Sequence, residues 1–536
     1  MCPSSKRTIT AITLAIFLAS CARPATPPPQ PVVVTLPAPA VAQITFTPSP
    51  VTPETPTAIH TATQPQTQTP TQTPNSTGVQ LNAPTQPPSP TPADTATPTI
   101  SPTPLRSTDA PTVSETTITI ASYNWRDHLI DTSPGDPIYP YPRLDYDPYT
   151  FSPGPASPVT FKGIVLENKY VSLTFIPELG GRLYRWQDKV TGRQMLYNNP
   201  VIQATGYGYR QWWLAIGGLE WGLPVEDHGF VEWVPWNYAT VTTQEAAAVV
   251  VSIAEDRTGL EAAIRIELDS AHSYFTLTPV LHNPNANPLA FQFWMTAVAA
   301  PAGDNRAGPD LRFNLPVSAM LVHSTDDKTL PPVGQSISWP IYNSRDMSLY
   351  GNWREFLSLF AAGGATQPYT GLYTPRADQG FVRIFPPQVA RGLKLFGPGN
   401  LPSFLWTNDD SSYVELWGGL TSDFSQTVTL QPDESFSWTE YWYPIHNIGN
   451  NVWADKDRAL SVRESNGEVT VGVYTTSAQS LQLTLFANGQ PVQQWAATTA
   501  GPESWIGTWI RTFEGPLDLQ LADGSGNVIT RYTYTP

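Results

Sequence analysis

The chain has 536 residues, with 29 basic and 44 acidic side chains and a net charge of −15. No Lys/Arg cluster offers a footprint for a phosphate backbone, which excludes nucleic acid as a partner and disfavours polyanions, so neutral partners such as uncharged sugars fit better. Cys2 and Cys21 are the only cysteines, so no disulfide framework staples the fold and stability must come from a large core.

At the N-terminus, Lys6 and Arg7 precede "ITAITLAIFLAS", an apolar run of about twelve residues, which is signal-peptide length and too short to span a bilayer stably. It ends in Leu18-Ala19-Ser20-Cys21, which resembles the lipobox of bacterial lipoproteins. The resemblance implies that residues 1–20 are a lipoprotein signal peptide and that Cys21 is lipidated. Two or more acyl chains would hold the chain stably at the extracytoplasmic face of a bacterial membrane or at the cell surface. Residues 21–115 then read as the lipidated Cys and a disordered stalk. The segment is rich in Pro, Thr, Gln, Ser and Ala, carries almost no charge and has one aromatic, Phe46. Such a composition buries too little apolar area to offset ordering entropy.

All 18 Trp lie beyond residue 120, and from there the pattern is β. In "AAIRIELD" (Ala262–Asp269), Ile264, Ile266 and Leu268 alternate with Arg265, Glu267 and Asp269, as in a half-buried strand. "YFTLTPVLHNPNANPLAFQFWMTA" reads as two strands around a turn at Asn283-Pro284 and Asn287-Pro288. Asn488-Gly489 in "LQLTLFANGQPVQQW" is a hairpin signal. The expected fold class is all-β, with a large sandwich over 116–447 and a small Ig-like β-sandwich over 455–536, divided near Ile445–Asp457.

Val159–Val201 holds a strand, the turn Pro177-Glu178-Leu179-Gly180-Gly181-Arg182, a second strand and the turn "DKVTGRQMLY". This resembles the opening of the galactose-mutarotase-like β-supersandwich. It is closest to an uncharacterised bacterial domain family of that group, related to aldose-1-epimerases. Further stretches resemble the same family in the same order: "YNWRDHLIDTSPGDPIYPYPRLDYDPY", "GGLEWGLPVEDHGFVEWVPW", "ADQGFVRIFPPQVARGLKLFGPG", "YVELWGG" and "LQPDESFSWTEYWYPI". The resemblance implies a cleft that binds sugar at one side of two large sheets.

Mutarotation needs a base at the anomeric hydroxyl and an acid at the ring oxygen. By resemblance, Asp227-His228-Gly229 places His228 in the cleft, and Tyr413-Val414-Glu415-Leu416 places Glu415 opposite as the base. The acid His expected on the mid-chain strand is absent. "FWMTA" offers Thr296, and His282 lies beyond the Asn-Pro turn. For each candidate a plainer reading stands beside the functional one. Glu415 is the base or an outward strand carboxylate, and His228 is a sugar ligand or acid, or a histidine of a polar loop. Glu220, set between Gly218 and Trp221, clamps sugar hydroxyls or pairs with an arginine such as Arg210. Arg182 reaches a ligand hydroxyl or pairs with Glu178.

Trp221, Trp233 and Trp417 are candidate stacking faces, as are Trp212, Trp213, Trp236 and Trp294, although aromatics also fill cores. Glu226, Asp227 and His228 adjoin one another, but no metal-ligand spacing accompanies them, so neither a metal nor any other cofactor is expected. The function expected is binding of a neutral mono- or oligosaccharide by a lipid-anchored monomer without standard mutarotase activity. The alternatives are a carbohydrate-active enzyme, either epimerase-like or a glycoside hydrolase using Glu220 and Glu415, and a structural or adhesive surface protein.

Overall fold

A computed structural model of the chain describes residues 109–130, 142–151, 154–206 and 212–535. The leader, Cys21, most of the stalk and Arg210 lie outside the described residues.

The first strand, β1 (Thr112–Ser122), begins four residues ahead of the expected start at 116, and it pairs along its whole length with β2 (Ser157–Glu167). β3 (Val171–Ile176) and β4 (Arg182–Asp188) follow, joined by the Gly180-Gly181 turn. Both glycines have positive φ, and a Cβ on Gly180 would lie 2.1 Å from the Glu232 carbonyl oxygen. The turn therefore needs glycine both for its conformation and for its close backbone contact. β5 (Asn198–Thr205) and β6 (Trp213–Gly222) belong to the same 13-stranded sheet.

The chain then builds a second, nine-stranded sheet from β7 (Asn237–Thr242), β8 (Ala246–Ala254), β9 (Glu261–Asp269) and β10 (Phe275–His282). In β9, Ile264, Ile266 and Leu268 are fully buried, as their alternation requires. Asn283 anchors the turn after β10 by donating to the carbonyls of Asn287, Leu430 and Gln431 at 2.9–3.1 Å.

β11 (Trp294–Ala299), β12 (Ala319–Thr325) and β13 (Leu357–Ala361) return to the large sheet. β14 (Tyr369–Thr374) and β15 (Gln379–Ile384) belong to the second, β16 (Gly392–Gly397) and β17 (Val414–Gly419) to the first, and β18 (Glu440–His446) to the second. Repeated crossing between sheets makes one supersandwich. Its core is aromatic: Trp186 of β4 meets Phe275, Phe381 and Trp442 of the second sheet at ring separations of 5.0, 5.2 and 6.3 Å.

After the short strand Trp453–Ala454, seven strands form a smaller sandwich. They are β19 (Arg458–Ser465), β20 (Glu468–Thr475), β21 (Gln479–Ala487), β22 (Gln490–Thr499), β23 (Glu503–Ile510), β24 (Leu517–Asp523) and β25 (Val528–Tyr534). One sheet runs β19-β20-β23 and the other β22-β21-β24-β25, an Ig-like arrangement of hairpins and crossings. Asn488 and Gly489, both with positive φ, form the two-residue turn between β21 and β22. Every second residue fills the core, as in Val469, Val471 and Val473, and in Leu481, Leu483 and Leu485. The two sandwiches meet through Tyr443, whose hydroxyl donates to the carbonyls of Asp455 (2.7 Å) and Arg458 (2.9 Å).

Candidate functional site

Strand register assembles the site. Residues directly opposite in antiparallel strands project from the same face. One row crosses β6, β11, β17, β16 and β13 as Glu220, Thr296, Trp417, Lys394 and Phe360. The next row runs Gly218, Val298, Glu415, Phe396 and Ser358. Glu415 and Trp417 thus share a face because they are two apart on β17.

Within β6, Trp213 and Glu220 are seven apart and would face opposite sides of a regular strand. Gly217 and Gly218, with φ near +89° and +85°, interrupt the alternation and bring both to one side. No other residue fits at 217, where a Cβ would lie 2.2 Å from the Tyr197 carbonyl oxygen. The indole Nε1 of Trp213 then donates to Glu220 at 3.3 Å. On β12 the register shifts between Val322 and Ser324, so His323 is the bulged residue, and it lines the cleft.

The loop after β6 carries His228 back over Glu220. Gly229 permits the tight return, since a Cβ there would lie 2.1 Å from the Leu223 nitrogen. His228 Nδ1 hydrogen-bonds to Glu220 Oε1, and its ring stacks on Trp213 at 4.6 Å and 21°. Behind Glu220 stands Arg182, fully buried, whose Nη1 donates to Glu220 Oε2 at 3.0 Å. Its remaining bonds go to the carbonyls of Leu179 (3.0 Å), Gly217 (2.7 Å) and Glu232 (2.9 Å).

Beyond His228, Nε2 lies 3.8 Å from Asp227 Oδ1, which lies 3.6 Å from Lys394 Nζ. The Lys394 ammonium sits 3.5 Å from the centre of the Trp417 ring. Glu415 Oε2 accepts from Trp417 Nε1 at 2.7 Å.

Burial sets the protonation of these groups. It pushes the Glu415 carboxyl up to about 7 against the pull of His228 and Lys394, with Glu220 adding repulsion. Burial opposes the charged form of His228, but the carboxylates of Asp227, Glu220 and Glu415 outweigh it and raise the imidazole above its ordinary value. For Glu220, burial is outweighed by His228 and Arg182, so its carboxyl stays below the usual range. Burial lowers Lys394 despite Asp227 and Glu415, and burial together with Lys394 lowers His323 to about 4. At neutral pH the site therefore holds a neutral His323 and a Glu415 poised to gain or lose a proton, with His228 biased toward its protonated form by the surrounding carboxylates.

These groups face a cleft of about 140 Å³. Trp213, Asp227, His228, His323, Lys394 and Glu415 line its polar side, with Phe396, Leu401, Leu405, Trp406 and Tyr413 around them. Among the sequence candidates, His228 and Glu415 come together here.

Several of the other candidates stand elsewhere. Arg182 does not reach a ligand: it is sealed beneath Glu220. Its carboxylate partner is Glu220 rather than Glu178, which instead accepts from the Lys162 backbone nitrogen at 2.7 Å. Glu220 itself is 1% exposed with both oxygens bonded, so it cannot clamp a sugar or act as the second carboxylate of a glycosidase pair. Trp221 faces the opposite side of β6, fully buried, and donates to the Gly181 carbonyl at 3.3 Å. Trp233 is half-buried in a cluster with Trp125 and Trp212, at 5.6 and 5.4 Å. Trp417 is fully buried under the site, 4.9 Å from the His228 ring, and supports it rather than offering a free face. Thr296 lies in the row between Glu220 and Trp417, with its hydroxyl buried and unpartnered among the described residues.

Lys394 and His323 were missed. The isolated Lys of "GLKLF", alternating with Leu393 and Leu395, was the available signal for the first. The bulge that turns His323 inward has no counterpart in the sequence pattern.

Residues 134–445 match the model of the family described as Domain of unknown function (DUF5107). A TPR-domain containing protein from Parabacteroides distasonis is similar at 24% identity and a TM-score of 0.52, over 62% of this chain and 55% of that one. The chain thus spans about half the length of that protein. A galactose mutarotase-like protein from Clostridium acetobutylicum is similar at 14% identity and a TM-score of 0.40, over 54% of this chain and 96% of that one. A galactose mutarotase related enzyme from Lactobacillus acidophilus is similar at 12% identity and a TM-score of 0.38, over 53% and 97%. The first of these likenesses concerns fold, and function has to be argued from the site. With its supersandwich of a 13-stranded and a nine-stranded sheet, the chain belongs to the family described as Domain of unknown function (DUF5107).

Proposed function

We propose that the cleft binds a neutral carbohydrate and transfers protons on it, with Glu415 as base and His228 as acid. The observation that carries this reading is that both groups line one aromatic-walled cleft, with His228 oriented from behind by Glu220 and Arg182. In its ionised form Glu415 takes the proton of the anomeric hydroxyl. The His228 imidazolium gives a proton from Nε2 to the ring oxygen while Nδ1 stays bonded to Glu220. Ring opening and reclosure then exchange the anomers. Fluxes of this kind are read by magnetisation-transfer NMR on a panel of neutral aldoses. Anomer exchange should exceed the buffer rate, and Glu415→Gln should lower it by about 10²-fold or more. The rate should rise through about pH 7 as Glu415 ionises, and its alkaline fall should lie above the ordinary imidazole range, because the neighbouring carboxylates raise His228.

A second reading, a sugar-binding cleft without catalysis, is favoured by one observation. Thr296 stands on the strand where the family resemblance calls for the acid histidine, and its hydroxyl does not line the cleft. Binding without any anomer exchange above buffer would establish this reading. Absence of binding across the panel would leave a structural or adhesive role.

We also propose that the domain is held outside the membrane by lipid on Cys21, a reading supported by Lys6, Arg7, the apolar run and Leu18–Cys21. Cys21→Ala should abolish metabolic labelling with an alkynyl fatty acid and release the protein from the membrane fraction. Unchanged labelling would refute the anchor.

A further inference from the structure

The cleft shares part of its wall with a second depression. Leu405, in the short 3-10 turn Ser403–Leu405, lines the cleft and also this second depression, of about 220 Å³. Tyr123, Tyr146, Tyr149, Gln203 and Phe404 line that depression, and none of its described lining residues is charged. The turn is held firmly at both ends. Gln203 Nε2 donates to the Phe404 carbonyl at 2.8 Å, and the buried Asn199 Nδ2 donates to the Trp406 carbonyl at 2.6 Å. Tyr149 is fixed as well, its hydroxyl accepting from the Ala204 backbone nitrogen at 3.0 Å.

On this anchored backbone Phe404 is 68% exposed, the largest exposure of any large apolar side chain described, and Tyr146 is 39% exposed. Holding a phenyl ring in water forgoes the burial it would gain in the core. Aromatic faces of this kind accept the C–H face of a sugar, while phenol and amide groups at the rim hydrogen-bond its hydroxyls.

We infer that the tyrosine-lined depression is an adjoining subsite for a second, neutral sugar ring, which makes the ligand of the cleft a neutral oligosaccharide. The inference rests on the carbohydrate reading above and deepens it. Because the two depressions adjoin at Leu405, one chain of sugars passing over that side chain would place its terminal ring at Glu415 and His228 and the next ring against Phe404 and Tyr146.

The test is isothermal titration of the full chain with neutral monosaccharides and with gluco-, xylo-, manno- and galacto-oligosaccharides of increasing length. At least one series should gain about tenfold in affinity from monosaccharide to disaccharide. Phe404→Ala should remove that gain and leave the monosaccharide affinity and the melting temperature unchanged, because the side chain packs little. Phe404→Trp should keep the gain. Monosaccharide binding with no gain from added units overturns the subsite and leaves the carbohydrate reading standing. An equal loss for monosaccharide and oligosaccharide in Phe404→Ala also overturns it. Failure of every sugar in the panel to bind overturns both readings.

Discussion

Arg383 and Glu440 pair inside the nine-stranded sheet, whereas Arg182 and Glu220 pair directly behind the cleft. Both pairs are sealed from water and both are flanked by tryptophan. In the first, the guanidinium and carboxylate meet through two bonds, Nε to Oε2 at 2.7 Å and Nη2 to Oε1 at 2.6 Å. Trp438 and Trp442 complete the carboxylate at 2.9 and 3.1 Å. In the second, Arg182 gives Glu220 a single bond and spends its other donors on three backbone carbonyls. That leaves Glu220 Oε1 available to His228. A carboxylate filled by its arginine and two indoles locks two strands together, while one that meets its arginine through a single bond passes its charge to a group that faces the cleft. The same two residue types thus serve structure in one place and chemistry in the other.

Breaking the closed pair should have the larger effect on stability. Glu440→Gln strands a buried guanidinium and should cost about 3–5 kcal/mol in urea denaturation. A loss below about 1 kcal/mol would mean that the pair is dispensable. Glu220→Gln should cost less, about 1–3 kcal/mol, because Arg182 keeps its backbone acceptors. Its distinctive effect should appear in the NMR titration of the His228 imidazole, whose pKa falls once the neighbouring negative charge is gone. A titration unchanged from the parent would sever Glu220 from the site. Thr296→Val should change stability least, by less than about 1 kcal/mol, since it removes a buried hydroxyl that makes no bond. A larger loss would reveal a polar partner for that hydroxyl and reopen its role beside Glu220.

The fold was more legible than the site. Alternation in Glu261–Asp269, the Gly180-Gly181 turn and the Asn488-Gly489 hairpin are local features, decided by backbone sterics and side-chain period within a few residues, and each can be read directly. His228 and Glu415 were also legible, but only through the resemblance of their motifs. For Arg182 and Glu220 the sequence leaves a ligand role and an ion pair both open, because nothing local shows which of two charged groups will stand in front of the other.

What the sequence by itself determined is the β architecture, the division into two sandwiches, and the presence of Glu220 and Glu415 as charged groups on otherwise apolar strands. These follow from period, turn chemistry and composition, which act over short spans of chain. Tertiary structure alone decided that Glu220 lies behind His228, that Lys394 and His323 join the cleft, and that Phe404 stands exposed beside it. The reason is register. Pairing β6 with β11, β17 and β16 aligns residues from distant parts of the chain in one row, and a bulged or positive-φ residue changes which face each side chain meets.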